Sequence, residues 1–243
     1  MPPDPRVLVV QHQADCPPGL FGLWLDAAGC ELDLRHPYAG EPLPADLRDH
    51  EGLLVLGGSM GAGDDADHGW LAHTRELVRI AARVDVPTLG ICLGHQLAAV
   101  ALGGGVEVND HGRQFGVLPV GWTPDAAGDP VLGSRPPQVI HWNNDVVTGL
   151  PAGSVVLAHA PDGTVQAARF APSVWGVQAH PEVDETIVER WAADERDEIG
   201  AERVDRELAQ MTRQGAELAR AWQPVAAAFA AVIRRAVGHT ARP

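Results

Sequence analysis

The chain contains no lysine: all 18 of its basic residues are arginine, set against 32 Asp and Glu in 243 residues. That absence removes two chemistries. A Walker-type phosphate loop needs its lysine, and Schiff-base catalysis needs a primary amine. The formal charge of −14 argues against a nucleic-acid partner, because such proteins displace counterions with a basic face. Cysteine is scarce too. Cys16, Cys30 and Cys92 are too few and too scattered for a disulfide framework or a zinc knuckle, which leaves a single reactive thiol as the use to look for. Long apolar runs are missing, so no membrane span is expected. The opening MPPDPRVLVVQHQ lacks the basic and long apolar stretches of a secretory leader, and the expected address is the cytoplasm.

What is present is enough apolar sequence, 45%, for a sizeable core. The first two-fifths alternate as a parallel α/β sheet does. RVLVVQ (6–11), ELDLR (31–35), GLLVLGG (52–58) and TLGIC (88–92) read as strands. GLFGLWLDAAG (19–29), the 70–84 stretch with its apolar stripe, and GHQLAAVAL (94–102) read as helices. From Gly104 onward short β-type runs (FGVLPVGW, QVIHW, SVVLAHA, TVQAARF, VWGVQAH) are split by turn residues, and they are expected to fold back on the same sheet. Beyond His180 the chain is charged and helical in period, with Pro224 expected to kink or restart the last helix. Two segments follow: 1–183 as one α/β domain, and 184–243 as a helical C-terminal extension packed on it.

The stretch LGICLGHQLA places Cys92 between Gly90 and Gly94. A strand that turns abruptly into a helix with a nucleophile at the turn is a nucleophile elbow, in which residues two before and two after the nucleophile approach too closely for side chains. The helix N-terminus sets a positive end beside the sulfur, and the amide of Leu93 can face the oxygen of a tetrahedral intermediate. A thiol nucleophile needs a base, and the base an orienting group. GVQAHPE supplies His180 and Glu182, which share a face in extended backbone because side chains alternate with period two.

Other clusters have simpler accounts. Asp64, Asp65, Asp67 and His68 are too loosely spaced to predict a metal site; a solvated loop beside a helix N-terminus explains them. Cys16 and Cys30 read as packing thiols. The run ERWAADERDEIGAERVDRE reads as a solvated helix face, with docking to a partner as its second use.

GICLGHQ and, some ninety residues later, GVQAHPE together resemble the class I, triad-type glutamine amidotransferase domain. LGGSMGAGDD is similar to that family's glycine-rich oxyanion loop, and HWNNDVVTGLPAG to its H-W-H-x-D…LP-x-G segment. With no synthetase domain following, the chain looks like the stand-alone, GMP-synthase-like members. The resemblance implies a three-layer sandwich with a mostly parallel central sheet, of flavodoxin-like amidotransferase architecture. It implies Cys92 as nucleophile, His180 as base and Glu182 as orienting carboxylate. The amides of Gly58 and Leu93 would form the oxyanion hole, and Gln96, His141 and Asp145 would contact substrate. No cofactor and no metal are expected. The substrate would be glutamine or another γ-glutamyl compound, with a separate ammonia-accepting synthetase, or a second copy of the chain, as protein partner. Three positions depart from the pattern: Ser59 where proline is frequent, Asn143 at the second histidine, and Gln114 at a frequent acidic residue. Two other readings stand beside an amidotransferase: a stand-alone γ-glutamyl peptide or γ-glutamyl-amine hydrolase, and a non-catalytic regulatory or scaffold subunit.

Overall fold

A computed structural model describes residues 4–240; the extreme ends of the two expected segments, 1–3 and 241–243, lie outside it. Its centre is an eight-stranded sheet in the order β2-β1-β3-β4-β12-β11-β10-β7. The strands β2 (Glu31–Arg35), β1 (Arg6–Val10), β3 (Gly52–Val55), β4 (Thr88–Ile91) and β12 (Val174–Val177) pair in parallel. β11 (Val165–Ala171), β10 (Val155–His159) and β7 (Gly121–Trp122) continue the sheet antiparallel.

Alternation along the central strands divides the core in two. Val7 and Val9 point to one face with Leu54, Leu56, Leu89 and Ile91. Leu8 and Val10 point to the other with Leu53 and Val55, as the two-residue period of a pleated strand requires. The second face is covered by α2 (Trp70–Val84), through Leu71, Leu77 and Val78, and by α3 (Leu93–Ala101), through Leu97 and Ala98. The first is covered by α1 (Gly19–Ala27) and by the far half of α5 (Ala201–Thr240), whose Trp222, Val225, Phe229 and Ile233 belong to the same core as Phe21 and Leu25. This is the three-layer α/β sandwich with a mostly parallel central sheet that the resemblance implied.

Two expectations change. The second half does not all return to one sheet: β5 (Gly105–Val108) pairs only with β9 (Asp145–Gly149), and β6 (Gln114–Pro119) only with β8 (Gln138–Asn143), as two separate antiparallel ribbons. The β6–β8 ribbon instead builds a third core with α4 (Glu185–Ile199) and the first half of α5, around Phe115, Trp142, Ile187, Trp191 and Val204. Nor does Pro224 restart a helix. α5 runs through it as one 40-residue helix, because the buried residues on either side, Trp222 and Val225, hold the helical path while one N–H is lost.

Candidate active site

Cys92 follows the last residue of β4 and precedes the first of α3, with φ 50° and ψ −106°. A non-glycine residue at positive φ stores strain of about 1–3 kcal/mol, and the neighbouring glycines make the turn sterically feasible. A Cβ on Gly90 would stand 2.3 Å from the Gly94 carbonyl oxygen, and one on Gly94 only 2.0 Å from the oxygen of Val55. Both contacts are with backbone, so no side-chain rotation relieves them.

His180 and Glu182 arrive on the segment after β12, and each is fixed through its main chain. The His180 amide donates to the Ile140 carbonyl at 2.8 Å, and the Glu182 carbonyl accepts from Leu20, at the start of α1, at 2.8 Å. Asp184 then caps α4 by accepting from the Ile187 amide, which ends the excursion. His180 Nδ1 lies 2.7 Å from Glu182 Oε1, with both side chains almost fully buried. Glu182 Oε2 has no hydrogen-bond partner among the described residues. Burial alone would push the His180 pKa down; the Cys92 sulfur and the Glu182 carboxylate outweigh it and push it up to about 10. Gly57 sits against this pair: a Cβ there would meet His180 Cε1 at 3.1 Å and Cys92 Cβ at 3.6 Å.

A cavity of about 370 Å³ opens onto Cys92, His180, Gly58, Gln96 and Asp145. Leu93 begins α3 one residue beyond the sulfur. The amides of Gly58 and Leu93 find no backbone acceptor among the described residues, as holds for any first-turn helix amide such as that of Leu93. Gln96 Nε2 donates to the Asp145 carbonyl at 3.0 Å, so the first turn of α3 is tied to the far wall. His141 is placed differently. It is fully buried behind the wall rather than lining the cavity. Its Nδ1 meets Asn143 Oδ1 at 3.1 Å, and its Nε2 accepts from the Gln166 amide. Burial pushes its pKa down to about 4.

The departures from the family pattern interlock. Asn143 Nδ2 donates to Gln114 Oε1 at 3.0 Å, so two of the three unusual residues are partners. Gln114 is held in turn by Asp162 and Thr164. Ser59 donates both its amide and its hydroxyl to Gln13 Oε1, at 2.7 and 2.8 Å; a proline at 59 would supply neither donor.

Several residues at the site were missed by the sequence reasoning. Gln178 is buried, donates to Cys92 Sγ at 3.7 Å and accepts from Gln96. Its place two residues before His180 is the local signal that could have marked it, although the stretch from Gln178 to Glu182 is bend and turn rather than strand. Trp191 and Glu195, four apart on α4, line the cavity with Arg113 and Trp142; their spacing marks one helix face but not what that face covers. Among the described residues, no group of three or more His, Cys, Asp or Glu is placed to hold a metal ion, and no helix is long and apolar enough to cross a membrane.

A cysteine at a strand–helix elbow, beside a buried histidine–carboxylate pair on an α/β sheet, is the arrangement of thiol-dependent acyl-transfer enzymes. The chain belongs to the class I glutamine amidotransferase family, whose profile, described as "Glutamine amidotransferase class-I", matches residues 26–190. It is 37% identical over 184 residues to a subunit of the glutamine-hydrolyzing GMP synthase of Halobacterium salinarum, covering 74% of this chain and 91% of that one. It is 28% identical over 165 residues to gamma-glutamyl peptidase 5 of Arabidopsis thaliana, covering 66% and 65%. Among solved structures, the glutamine amidotransferase of Methylobacillus flagellatus superposes with a TM-score of 0.84 at 28% identity, over 94% of this chain and 95% of that one.

Proposed function

We propose that this chain hydrolyses a γ-glutamyl amide through a thioester on Cys92. The observation that carries this reading is the strained Cys92 at φ 50°, beside the 2.7 Å His180–Glu182 pair, at one cavity. His180 holds the proton taken from the Cys92 thiol while the sulfur bonds to the amide carbon. The amides of Gly58 and Leu93 receive the oxyanion, a feature worth about 2.7–4 kcal/mol of barrier. The tetrahedral adduct collapses as the carbon–nitrogen bond breaks and His180 gives its proton to the leaving nitrogen. Water then adds to the thioester, giving a proton to His180 and returning the sulfur as thiol with release of the γ-carboxylate. Glu182 holds the imidazole in the tautomer this requires and favours its charged form. Gln96 and Asp145 contact the substrate. His141 acts from behind the wall by orienting Asn143.

For free glutamine the leaving group is ammonia, which a separate synthetase would take up, as the likeness to one subunit of a GMP synthase supports. A γ-glutamyl peptide or amine as substrate is the second reading. It is favoured by the Asn143–Gln114 pair at the departing positions and by the likeness to a gamma-glutamyl peptidase. Intact-mass labelling with a glutamine-mimicking diazoketone tests the shared chemistry. One adduct on the wild type and none on Cys92→Ala is expected; labelling that survives the substitution would overturn the assignment of the nucleophile.

A further inference from the structure

The general acid must stand beside the leaving nitrogen, so the groups continuing from His180 along the cavity wall face the leaving group. That wall is aromatic and acidic. The Trp191 ring lies 4.7 Å from His180 and 5.7 Å from Trp142, edge to face in both cases. Trp191 Nε1 donates to the Asp15 carbonyl at 2.8 Å, and Trp142 Nε1 donates to Glu195 Oε2. Arg113 donates to the same Oε2 and lies 6.0 Å from the Trp142 ring. All six residues line the cavity that holds Cys92. Trp191 and Glu195 come from α4, just beyond the 26–190 segment that defines the family.

Among the described residues of this wall, the carboxylates of Asp15 and Glu195 stand with the one guanidinium of Arg113 and leave it net negative. The Arg113 and Trp142 bonds to Glu195 both fall on Oε2, while Oε1 takes no hydrogen bond from the described residues. Among the described residues, the Asp15 carboxylate takes only the Gln13 side-chain amide, on Oδ1. Two indole rings beside carboxylate oxygens with acceptor capacity to spare form a setting that attracts an ammonium by charge, hydrogen bond and cation–π contact together. Ammonia needs no such wall once it departs, and an amino-acid leaving group would bring its carboxylate towards two more.

We propose that the Trp142–Trp191–Glu195–Asp15 wall is a leaving-group subsite for a cationic amine. The substrate class is then γ-glutamyl amides of diamines or similar amines bearing a second ammonium. This rests on the thioester reading above and extends it from bond type to substrate. The reaction is the same hydrolysis, with the free amine leaving in place of ammonia and water as the co-reactant.

The test compares kcat/KM of the full chain on γ-glutamyl-1,4-diaminobutane, γ-glutamyl-butylamine, γ-glutamyl-alanine and glutamine. The diamine amide is expected to exceed the butylamide by roughly tenfold or more, the scale of one hydrogen bond to a charged group, with the ratio falling as salt is raised. In Glu195→Gln the ratio collapses towards one, and turnover of the butylamide by the same preparation shows that the variant is folded. A wild-type ratio near one, a ratio that survives Glu195→Gln, or faster cleavage of γ-glutamyl-alanine than of the diamine amide overturns the subsite while leaving the thioester chemistry intact. If no γ-glutamyl amide is cleaved and Cys92 is inert to the diazoketone, the thioester reading falls and the subsite falls with it.

Discussion

Glu182→Gln keeps the shape of the carboxylate and removes its charge. In the structure Glu182 Oε1 touches His180 Nδ1 at 2.7 Å, and the two residues are 1% and 3% exposed, so solvent screens the pair little. Both charges are delocalised, which puts their centres about 4 Å apart. At an effective dielectric of about 20 the attraction is about 4 kcal/mol. The amide also presents an N–H where Nδ1 needs an acceptor, favouring the wrong tautomer. The expected loss is therefore about 10³–10⁴-fold in the rate of Cys92 acylation, in line with carboxylate-to-amide changes in other triads. The direction in pH follows from the raised His180 pKa: without the carboxylate the imidazolium is lost at lower pH, and the alkaline limb moves down. Stopped-flow acylation of wild type and variant between pH 5 and 10 measures both effects. A variant within tenfold of wild type, with its alkaline limb in place, would refute the role assigned to Glu182.

Four further outcomes follow from particular contacts. Gly94→Ala drives a Cβ to 2.0 Å from the Val55 oxygen; a cost of about 3 kcal/mol corresponds to a melting point about 6–12 °C lower for a chain of this size, and calorimetry showing no drop would contradict the elbow geometry. Pro224→Ala restores an N–H inside the continuous α5 and should stabilise by about 1–3 kcal/mol, read as a higher urea midpoint. Gln114→Ala and Asn143→Ala share a hydrogen bond, so their destabilisations should be non-additive by about 1 kcal/mol in a double-mutant cycle. The His180 pKa is raised from 6.5 to about 10 in the fold. Its contribution to stability is therefore fully present below pH 6.5 and lost as pH rises towards 10; urea midpoints for wild type and Glu182→Gln should converge over that window.

The three departures from the family pattern show where residue-by-residue carry-over stops. Taken singly, Asn143 and Gln114 look like losses at a substrate pocket. In the fold they bond to each other, and His141, expected at the substrate, is their buried neighbour. Ser59 acquires meaning only beside Gln13, 46 residues earlier. The Asn143–Gln114 and Ser59–Gln13 pairings join segments distant in sequence, so no local rule could have supplied them.

The sequence by itself determined what depends on short-range geometry. Strand and helix periods set β1 to β4 and α1 to α3, with α2 bounded at Trp70 and Val84 as its apolar stripe indicates. Glycines two residues either side of Cys92 set the elbow; His180 and Glu182 do meet as their spacing suggested, but through a bend and turn beyond β12 rather than through extended alternation. Those features arise from steric limits within a few residues, and the chain carries them wherever it folds. Only the tertiary structure decided which faces meet. It separated β5 with β9 and β6 with β8 from the main sheet, sent His141 behind the wall, and brought Trp191 and Glu195 of α4 to the cavity. An apolar stripe or an i,i+4 pair says that a face will be buried. What it is buried against is set by burial and shape summed over the whole chain.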